Sequence, residues 1–139
     1  MAAFNKINAF VENLAEKVHN LGADQLVVAL TAAANAPVAT NSVLADLTQI
    51  SYTNLSSRNV TTSSSSQTSG TYSLVLADLT LTASGGSVGP FRYIALYNDT
   101  PTSPADPLIG WYDYGSDLTL ADGESLTIDF SASGAITIA

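Results

Sequence analysis

The segment LIGWYDYGSD, residues 108–117, contains the side chains best suited to chemistry: one tryptophan, two tyrosines and two carboxylates. Paired carboxylates among aromatic side chains are the groups used by glycoside hydrolases and by sugar-binding grooves. In an extended strand, alternation places Trp111 and Asp113 on one face and Tyr112 and Tyr114 on the other. No second carboxylate is predicted in register with Asp113. The segment therefore indicates no catalytic carboxylate pair, and a sugar-binding surface built on Trp111 and the tyrosines stays an alternative.

Arg92 is the notable polar group of a second aromatic segment, GPFRYIALYN at residues 89–98. Alternation gives this segment two mostly apolar faces, as expected of a central strand. Arg92 lies where the strand begins, so its guanidinium can leave the core or pair with a carboxylate. We expect a structural ion pair with an aspartate. Recognition of a ligand's carboxylate is the alternative.

Other catalytic groups are few. His19 is the only histidine, and it falls on the polar side of a predicted helix, where we expect it to face water. The chain contains no cysteine, which excludes disulfides, thiolate zinc sites and cysteine nucleophiles. Motifs of serine hydrolases, zinc proteases, calcium loops and phosphate-binding glycine loops are missing from the sequence. We therefore predict that the protein is not an enzyme and has no catalytic, cofactor-binding or metal-ligating residues.

Length and charge limit the classes of partner. The chain has 139 residues, the size of one domain, so we predict a single domain over residues 1–139. Its net charge is −8, and its four basic side chains are far apart in the sequence. Such a protein repels phosphate backbones and anionic membranes, which argues against nucleic-acid and membrane partners. The sequence has neither a signal-peptide pattern nor a spanning run of about 18 apolar residues, and it indicates synthesis in the cytoplasm.

An amphipathic helix is predicted over residues 3–21, ahead of a β domain at residues 24–139. Its apolar positions fall within one arc of roughly 120°; they are Phe4, Ile7, Phe10, Val11, Leu14, Val18 and Leu21. Gly22 follows in the position typical of the glycine that ends a helix. The apolar face predicts packing on the domain's own sheet, and docking on another chain is the alternative.

From residue 24 onward the pattern becomes strand-like. The segments with strand character are DQLVVALT (24–31), TYSLVLADLTLTA (71–83, divided at Asp78), FRYIALYN (91–98), LIGWYDYG (108–115), LTLADGESLTIDF (118–130) and GAITIA (134–139). Within LTLADGESLTIDF, Asp122-Gly123 predicts the turn of a hairpin. Residues 41–50 fit either a short helical turn or an extended segment. Short strands joined by Gly, Pro and Asp turns favour a mainly β fold, an antiparallel β-sandwich or barrel with one N-terminal amphipathic α-helix.

The tract NVTTSSSSQTSG, residues 59–70, is too polar to be buried on both faces. It is predicted to be an exposed edge strand or a mobile loop, because a run of serines contributes little to a core. An edge strand offers unpaired backbone N–H and C=O groups. The backbone of residues 61–70 could therefore pair with a neighbouring chain.

Four longer segments resemble small proteins encoded in the structural modules of tailed bacteriophages. They are FNKINAFVENLAEKVHNLGADQLVVALT, NAPVATNSVLADLTQI, SGTYSLVLADLTLTASGGSVGPFRYIALYND and DPLIGWYDYGSDLTLADGESLTIDF, which together cover nearly the whole chain. The resemblance implies a virion structural protein, of the kind labelled capsid decoration (cement) protein or tail-fibre protein. It brings no catalytic motif and identifies no interface residue.

A capsid decoration protein is the leading expectation from this resemblance. Such a protein binds the outer surface of the shell, braces neighbouring capsomers and stabilises the head. Its partners would be the major capsid protein and copies of itself, as a trimer or lattice-bound oligomer. It would be made in the host cytoplasm and end on the capsid surface of the virion. A tail or tail-fibre-associated structural protein and, more remotely, a carbohydrate-binding module are the alternatives.

Overall fold

In the computed structural model, which describes residues 2–139, the chain forms ten β-strands and one α-helix. The elements in chain order are β1 (Phe4–Lys6), α1 (Asn8–Ala15), β2 (Leu26–Thr31), β3 (Asn59–Val60), β4 (Thr62–Thr68), β5 (Thr71–Leu76), β6 (Leu79–Thr82), β7 (Val88–Asn98), β8 (Leu108–Leu120), β9 (Ser125–Ile128) and β10 (Ile136–Ile138). Short 3-10 turns lie at Ala33–Asn35 and Leu44–Asp46.

The strands are antiparallel and form three sheets. Five strands form one sheet in the order β1-β8-β7-β2-β3, and three form a second in the order β10-β5-β4. Strands β6 and β9 pair with each other in a two-stranded sheet. The sheets are arranged as in a sandwich and do not close into a barrel. The predicted mainly β fold with one helix near the N-terminus is confirmed, and of the two predicted architectures the sandwich is the one adopted.

Strands β2 and β7 form the centre of the five-stranded sheet. All six residues of β2 are buried, because this strand lies between β7 and β3 and its apolar run can present both faces to the interior. Residues 94–98 of β7 are buried as well. The strands predicted at residues 24–31 and 91–98, the second as a central strand, are confirmed.

The predicted helix is wrong at its start, because residues 4–6 form an edge strand of the five-stranded sheet. Phe4 lies opposite Tyr112, and their ring centroids are 5.1 Å apart. Gly110 makes this close approach possible, since a Cβ atom there would lie 2.6 Å from the carbonyl oxygen of Asn5. The helical spacing of apolar residues near the N-terminus could not reveal that Gly110, far away in the sequence, leaves room for strand β1.

The helix also ends earlier than predicted, after eight residues, and Lys17 rather than Gly22 is the left-handed residue that closes it. Lys17 has a φ of 67°. The amide of Val18 donates to the carbonyl of Asn13 over 2.8 Å, and the amide of Lys17 donates to the carbonyl of Leu14 over 3.4 Å. These two bonds define a Schellman motif, in which the left-handed position usually holds glycine.

Replacing Lys17 with glycine should stabilise the fold. An L-residue in the left-handed region costs about 1–2 kcal/mol, and the greater freedom of glycine in the unfolded chain offsets part of the gain. We expect Lys17→Gly to raise the free energy of unfolding by roughly 0.5–1 kcal/mol in urea denaturation. Lys17→Ala removes the same charge and keeps the unfavourable φ, so it should give no gain. Equal gains from both variants would show that charge, not backbone conformation, is responsible.

Phe10 anchors the helix in the domain's own core. Its side chain is 5% exposed and belongs to one cluster with the buried side chains of β2 and β7. The helix packs against β8. Val11, predicted on the same apolar face, is 52% exposed and lies outside this contact. Packing on the domain's own sheet, the first of the two predicted alternatives, is therefore the observed arrangement.

Phe10→Asp should unfold or strongly destabilise the isolated protein. The variant loses a buried ring worth ~1.5–3 kcal/mol and places a carboxylate in an apolar site. We expect the free energy of unfolding to fall by at least about 4 kcal/mol in thermal or urea denaturation. Val11→Asp introduces the same charge at the next position, which is exposed. This control variant should change the free energy of unfolding by less than about 0.5 kcal/mol. A Phe10→Asp variant that keeps its melting temperature would place the helix outside the folded domain.

The turn at Asp122-Gly123 forms, but the hairpin predicted around it is wrong. Gly123 has a φ of 87°, which a glycine adopts without steric cost. Strand β8 pairs with β7 while β9 pairs with β6, so the chain passes from one sheet to another at this turn. Ala83, just after β6, holds the crossing: its carbonyl accepts the amide of Gly123 at 2.8 Å, and its amide donates to the carbonyl of Glu124 at 3.0 Å.

Residues 41–50 combine both of the predicted alternatives. One 3-10 turn, Leu44–Asp46, lies between extended residues. Beyond it, the amide of Ile50 donates to the carbonyl of Leu30 over 3.0 Å. The segment thereby closes the part of the β2 edge that the two-residue strand β3 leaves uncovered.

Candidate functional site

The serine-rich tract forms β4, an edge strand. It pairs with β5 on one side, and no strand within residues 2–139 pairs with its other side. All of its residues except Thr62 are exposed. Of the two structures predicted for this tract, the edge strand is therefore the one adopted and the mobile loop is not.

The serines of β4 alternate between two faces. Ser65 points toward the body of the protein, where its Oγ lies 2.9 Å from the hydroxyl of Tyr72. Because side chains alternate along a strand, Ser64 and Ser66 point to the opposite face. The outer edge of β4 thus combines unpaired backbone groups with small side chains, so the backbone of another strand can approach it closely.

Arg92 and Asp113 form a bidentate ion pair. Nε of Arg92 donates to Oδ1 of Asp113 over 2.8 Å, and Nη2 donates to Oδ2 over 3.0 Å. The two residues meet because Tyr93, next to Arg92, lies opposite Asp113 in the β7-β8 register. The guanidinium holds the pKa of the Asp113 carboxyl below its usual range, and the amide of Gly115 adds to the effect. The predicted ion pair is confirmed, and the fork of the guanidinium is already occupied by a carboxylate of the protein.

Arg92→Gln should raise the pKa of Asp113 toward its ordinary value, because the main cause of the lowering is removed. NMR titration of the Asp113 carboxyl measures this change. Since the folded-state pKa is the lower one, the contribution of the pair to stability is present above the ordinary value of about 3.9 and is lost as the pH falls through the folded value. Asp46 is the control, because the amides of Ser42 and Val43 lower its pKa instead, and it should titrate unchanged. An Asp113 pKa that does not move would contradict the assignment.

The aromatic side chains of β8 do not form one platform. The register places Trp111 opposite Ala95 and Tyr112 opposite Ile94, so Trp111 faces the other side of the sheet from Tyr112 and Tyr114. The two tyrosines border a cavity of about 280 Å³ to which Trp111 does not contribute. The separation predicted from alternation is confirmed. Trp111 and the two tyrosines of β8 therefore do not lie on one continuous surface.

His19 is buried, and the prediction that it faces water is wrong. Its side chain is 5% exposed, and its ring packs against that of Phe10 with centroids 5.2 Å apart. Asn98, fully buried at the end of β7, donates from Nδ2 to Nδ1 of His19 over 3.1 Å and to Oδ2 of Asp24 over 2.7 Å. The error has a physical cause: the helix ends before residue 19, so a helical projection does not describe where this side chain points.

The same network determines which nitrogen of His19 carries the proton. The Asn98 side-chain oxygen accepts the amide of Thr100 over 3.1 Å, which leaves the amide nitrogen facing the imidazole. An amide nitrogen donates and does not accept, so Nδ1 is bare and Nε2 bears the hydrogen. Nε2 is buried without a hydrogen-bond partner among residues 2–139. Burial lowers the pKa of His19 and the Asp24 carboxylate opposes this only in part, so the ring is neutral at pH 7.

The protein should lose stability between about pH 7 and pH 5, and His19 should account for the loss. The folded-state pKa of His19 lies below its unfolded value near 6.5. The unfolded chain therefore binds a proton first, and acidification favours it. Asp106 acts in the opposite direction, because burial and the neighbouring Asp99 raise its pKa and protonation then favours the folded state. Urea denaturation across this range should show a slope in the natural protein that His19→Gln flattens. An unchanged slope in the variant would assign the effect to other groups.

Residues 2–139 contain no group of three or more His, Cys, Asp or Glu side chains placed to hold a metal ion. Over the same residues, no helix combines the length and the hydropathy that crossing a bilayer requires. No protein-family model matches the chain, and no curated protein or solved structure matches it either.

Proposed function

We propose that the protein is a structural protein of a tailed-bacteriophage virion, and specifically a capsid decoration protein that binds the outer surface of the shell and stabilises the head. The sequence segments that resemble virion proteins support the class. The exposed, unpaired edge of β4 is the single structural observation that supports attachment to other chains. In this proposal the protein acts by burying surface between chains and not by catalysis.

The partner of β4 is a strand of the major capsid protein or of a second copy of the chain. In an antiparallel ladder each added residue contributes up to one backbone hydrogen bond, and a net bond contributes about 0.5–1.5 kcal/mol. Seven residues of β4 therefore give a modest interaction for one contact. A shell presents many symmetric copies of the same contact, and linked copies bind far more tightly than one.

The conformation of β4 makes such pairing inexpensive. Fixing the backbone of a flexible residue costs about 1–2 kcal/mol. The tract is already held extended by its ladder with β5, from Thr62 opposite Leu76 to Thr68 opposite Thr71. A partner strand therefore meets a formed edge and does not have to order a loop.

The composition of β4 also keeps the free protein from aggregating through this edge. Exposed strand edges promote pairing most when they are hydrophobic, and the side chains of β4 are hydroxyls and one amide. The net charge of −8 adds repulsion between free copies. Strand pairing at β4 is then favoured on a capsid lattice, which holds the partner strands in place.

Lysines on β4 should block attachment. Ser64→Lys combined with Ser66→Lys places two long charged side chains along the edge, a feature that prevents strand pairing in natural edge strands. Both positions are exposed and point away from the body of the protein, so the melting temperature should stay the same. We expect occupancy on expanded capsids, measured by density per particle or by gel, to fall by about tenfold or more. Deleting residues 63–66 should lower occupancy at least as far.

The matched control is Ser64→Thr combined with Ser66→Thr, which keeps the hydroxyls and favours strand structure. It should bind capsids as the natural protein does. Unchanged occupancy in the lysine variant would remove β4 from the interface. Association with tails and never with heads would contradict the decoration role and favour a tail or tail-fibre-associated structural protein.

A further inference from the structure

A second surface lies between α1 and β10, the other edge strand of the three-stranded sheet. Two adjoining cavities of about 380 and 460 Å³ share Leu14 and Ile138 in their walls and are termed the α1–β10 groove. One cavity lies beside β10 and the other continues past the end of the helix to His19. The apolar side chains that line the groove include Phe4, Phe10, Val11, Leu14, Ile136 and Ile138.

The backbone edge of β10 borders the first cavity. Ala135 and all three residues of β10 contribute to its wall. Side chains of a strand alternate between two faces, so three consecutive strand residues can all line one cavity when the edge of the strand is turned toward it. Within residues 2–139, strand β10 pairs only with β5. The groove therefore offers unpaired backbone groups next to apolar side chains, the combination used to bind an extended peptide as an additional strand.

One residue in the wall of the second cavity carries an unsatisfied hydrogen-bond donor. His19 lines this cavity together with Lys17, and Nε2–H of His19 is buried with no hydrogen-bond partner within residues 2–139. A buried donor without an acceptor is unfavourable, and an oxygen brought in by a ligand would satisfy it. The ammonium of Lys17 in the same wall favours an oxygen that carries negative charge.

The charges of the groove differ from those of the whole chain. Lys17 lines one cavity and Lys6 lines the other, so two of the four basic residues border it in a protein of net charge −8. Among residues 2–139, neither cavity has an aspartate or glutamate in its wall, and the Asp24 carboxylate near His19 is hydrogen-bonded to Asn98. A groove whose walls contain lysines and no acidic residue is complementary to a segment that is apolar and acidic.

We propose that the α1–β10 groove binds an extended segment of another protein, which adds a strand to β10 and places a carboxylate against His19 and Lys17. Alternate apolar side chains of that segment lie between α1 and the sheets, and its carboxylate accepts the Nε2–H hydrogen bond. The site is separate from the outer edge of β4. It stands on the geometry of the groove and does not depend on a role in a virion.

Two capped heptapeptides serve as probes, because the direction of the added strand is open: acetyl-VTVTVTD-amide and acetyl-DTVTVTV-amide. Each has a matched peptide with asparagine in place of aspartate. Titration into ¹⁵N-labelled protein should shift the Nε2–H signal of His19 downfield and perturb the amides of residues 135–138. At least one aspartate peptide should bind about tenfold more tightly than its asparagine match, as expected for a charge-assisted hydrogen bond.

Lys17→Gly keeps the fold, because glycine suits the φ of 67° there, and it removes the ammonium. It should weaken the aspartate peptide about tenfold and leave the asparagine peptide unchanged. His19→Phe removes the ring N–H donor and should abolish the preference for aspartate as well. If the His19→Phe variant does not fold, Lys17→Gly still tests the proposal.

Several results would overturn the proposal. One is the absence of any His19 shift with all four peptides at millimolar concentration. Binding that Lys17→Gly does not change would be another. Octanoate is titrated as a separate probe, and a response to octanoate without a response to the peptides would make the groove a lipid site. If the Nε2–H signal of His19 shifts when only the protein concentration is raised, the groove is a contact between copies of this chain.

Discussion

Strand β7 is the element on which the other parts of the structure depend. It pairs with all six residues of β2 on one edge and with β8 along most of its length on the other. A strand that is paired on both edges and covered on both faces has to be apolar where it is buried, and residues 94–97 meet this requirement with Ile, Ala, Leu and Tyr. The ion pair at Arg92 lies where the strand leaves the interior, since its side chain is 33% exposed. The two remaining strands of the five-stranded sheet, β1 and β3, are added to the outer edges of β8 and β2.

The buried end of β7 also positions a part of the chain that has no regular secondary structure. Asn98 uses both hydrogens of its amide, one on His19 and one on Asp24, and Asp24 in turn accepts the amide of Asn20 over 2.8 Å. A buried polar network of this kind fixes geometry because each lost bond leaves a desolvated group. The segment after the helix is therefore held against the central strand. The one donor that the network leaves over, Nε2–H, belongs to His19, which lines the α1–β10 groove.

Local sequence patterns predicted the parts of the fold whose causes are local. The buried strands β2 and β7, the turn at Gly123 and the pairing of Arg92 with an aspartate all follow from residue type and alternation. For the polar tract of β4, the same patterns left two alternatives, an edge strand and a mobile loop. The errors share a different cause, a partner distant in sequence. Strand β1 forms because Gly110 leaves room for it, and the strands flanking Gly123 separate because Ala83 binds the turn. A helical projection of His19 assumes that the helix continues, and it shows neither the early helix end at Lys17 nor the hydrogen bond that His19 accepts from Asn98. The α1–β10 groove, which includes His19, could therefore not be predicted from the sequence.

An open sandwich has sheet edges, and the two edges of the three-stranded sheet, β4 and β10, differ in chemistry. Strand β4 presents seven residues with small polar side chains, whereas β10 presents three residues beside an apolar groove with a lysine in each cavity. Backbone pairing supplies affinity in strand addition, and side-chain pockets supply specificity. An edge such as β4 would therefore accept many strands and depend on a lattice to select its partner. The groove at β10 would select by sequence, because only a segment with apolar residues at alternate positions and a carboxylate at one end satisfies both its walls and the hydrogen of His19.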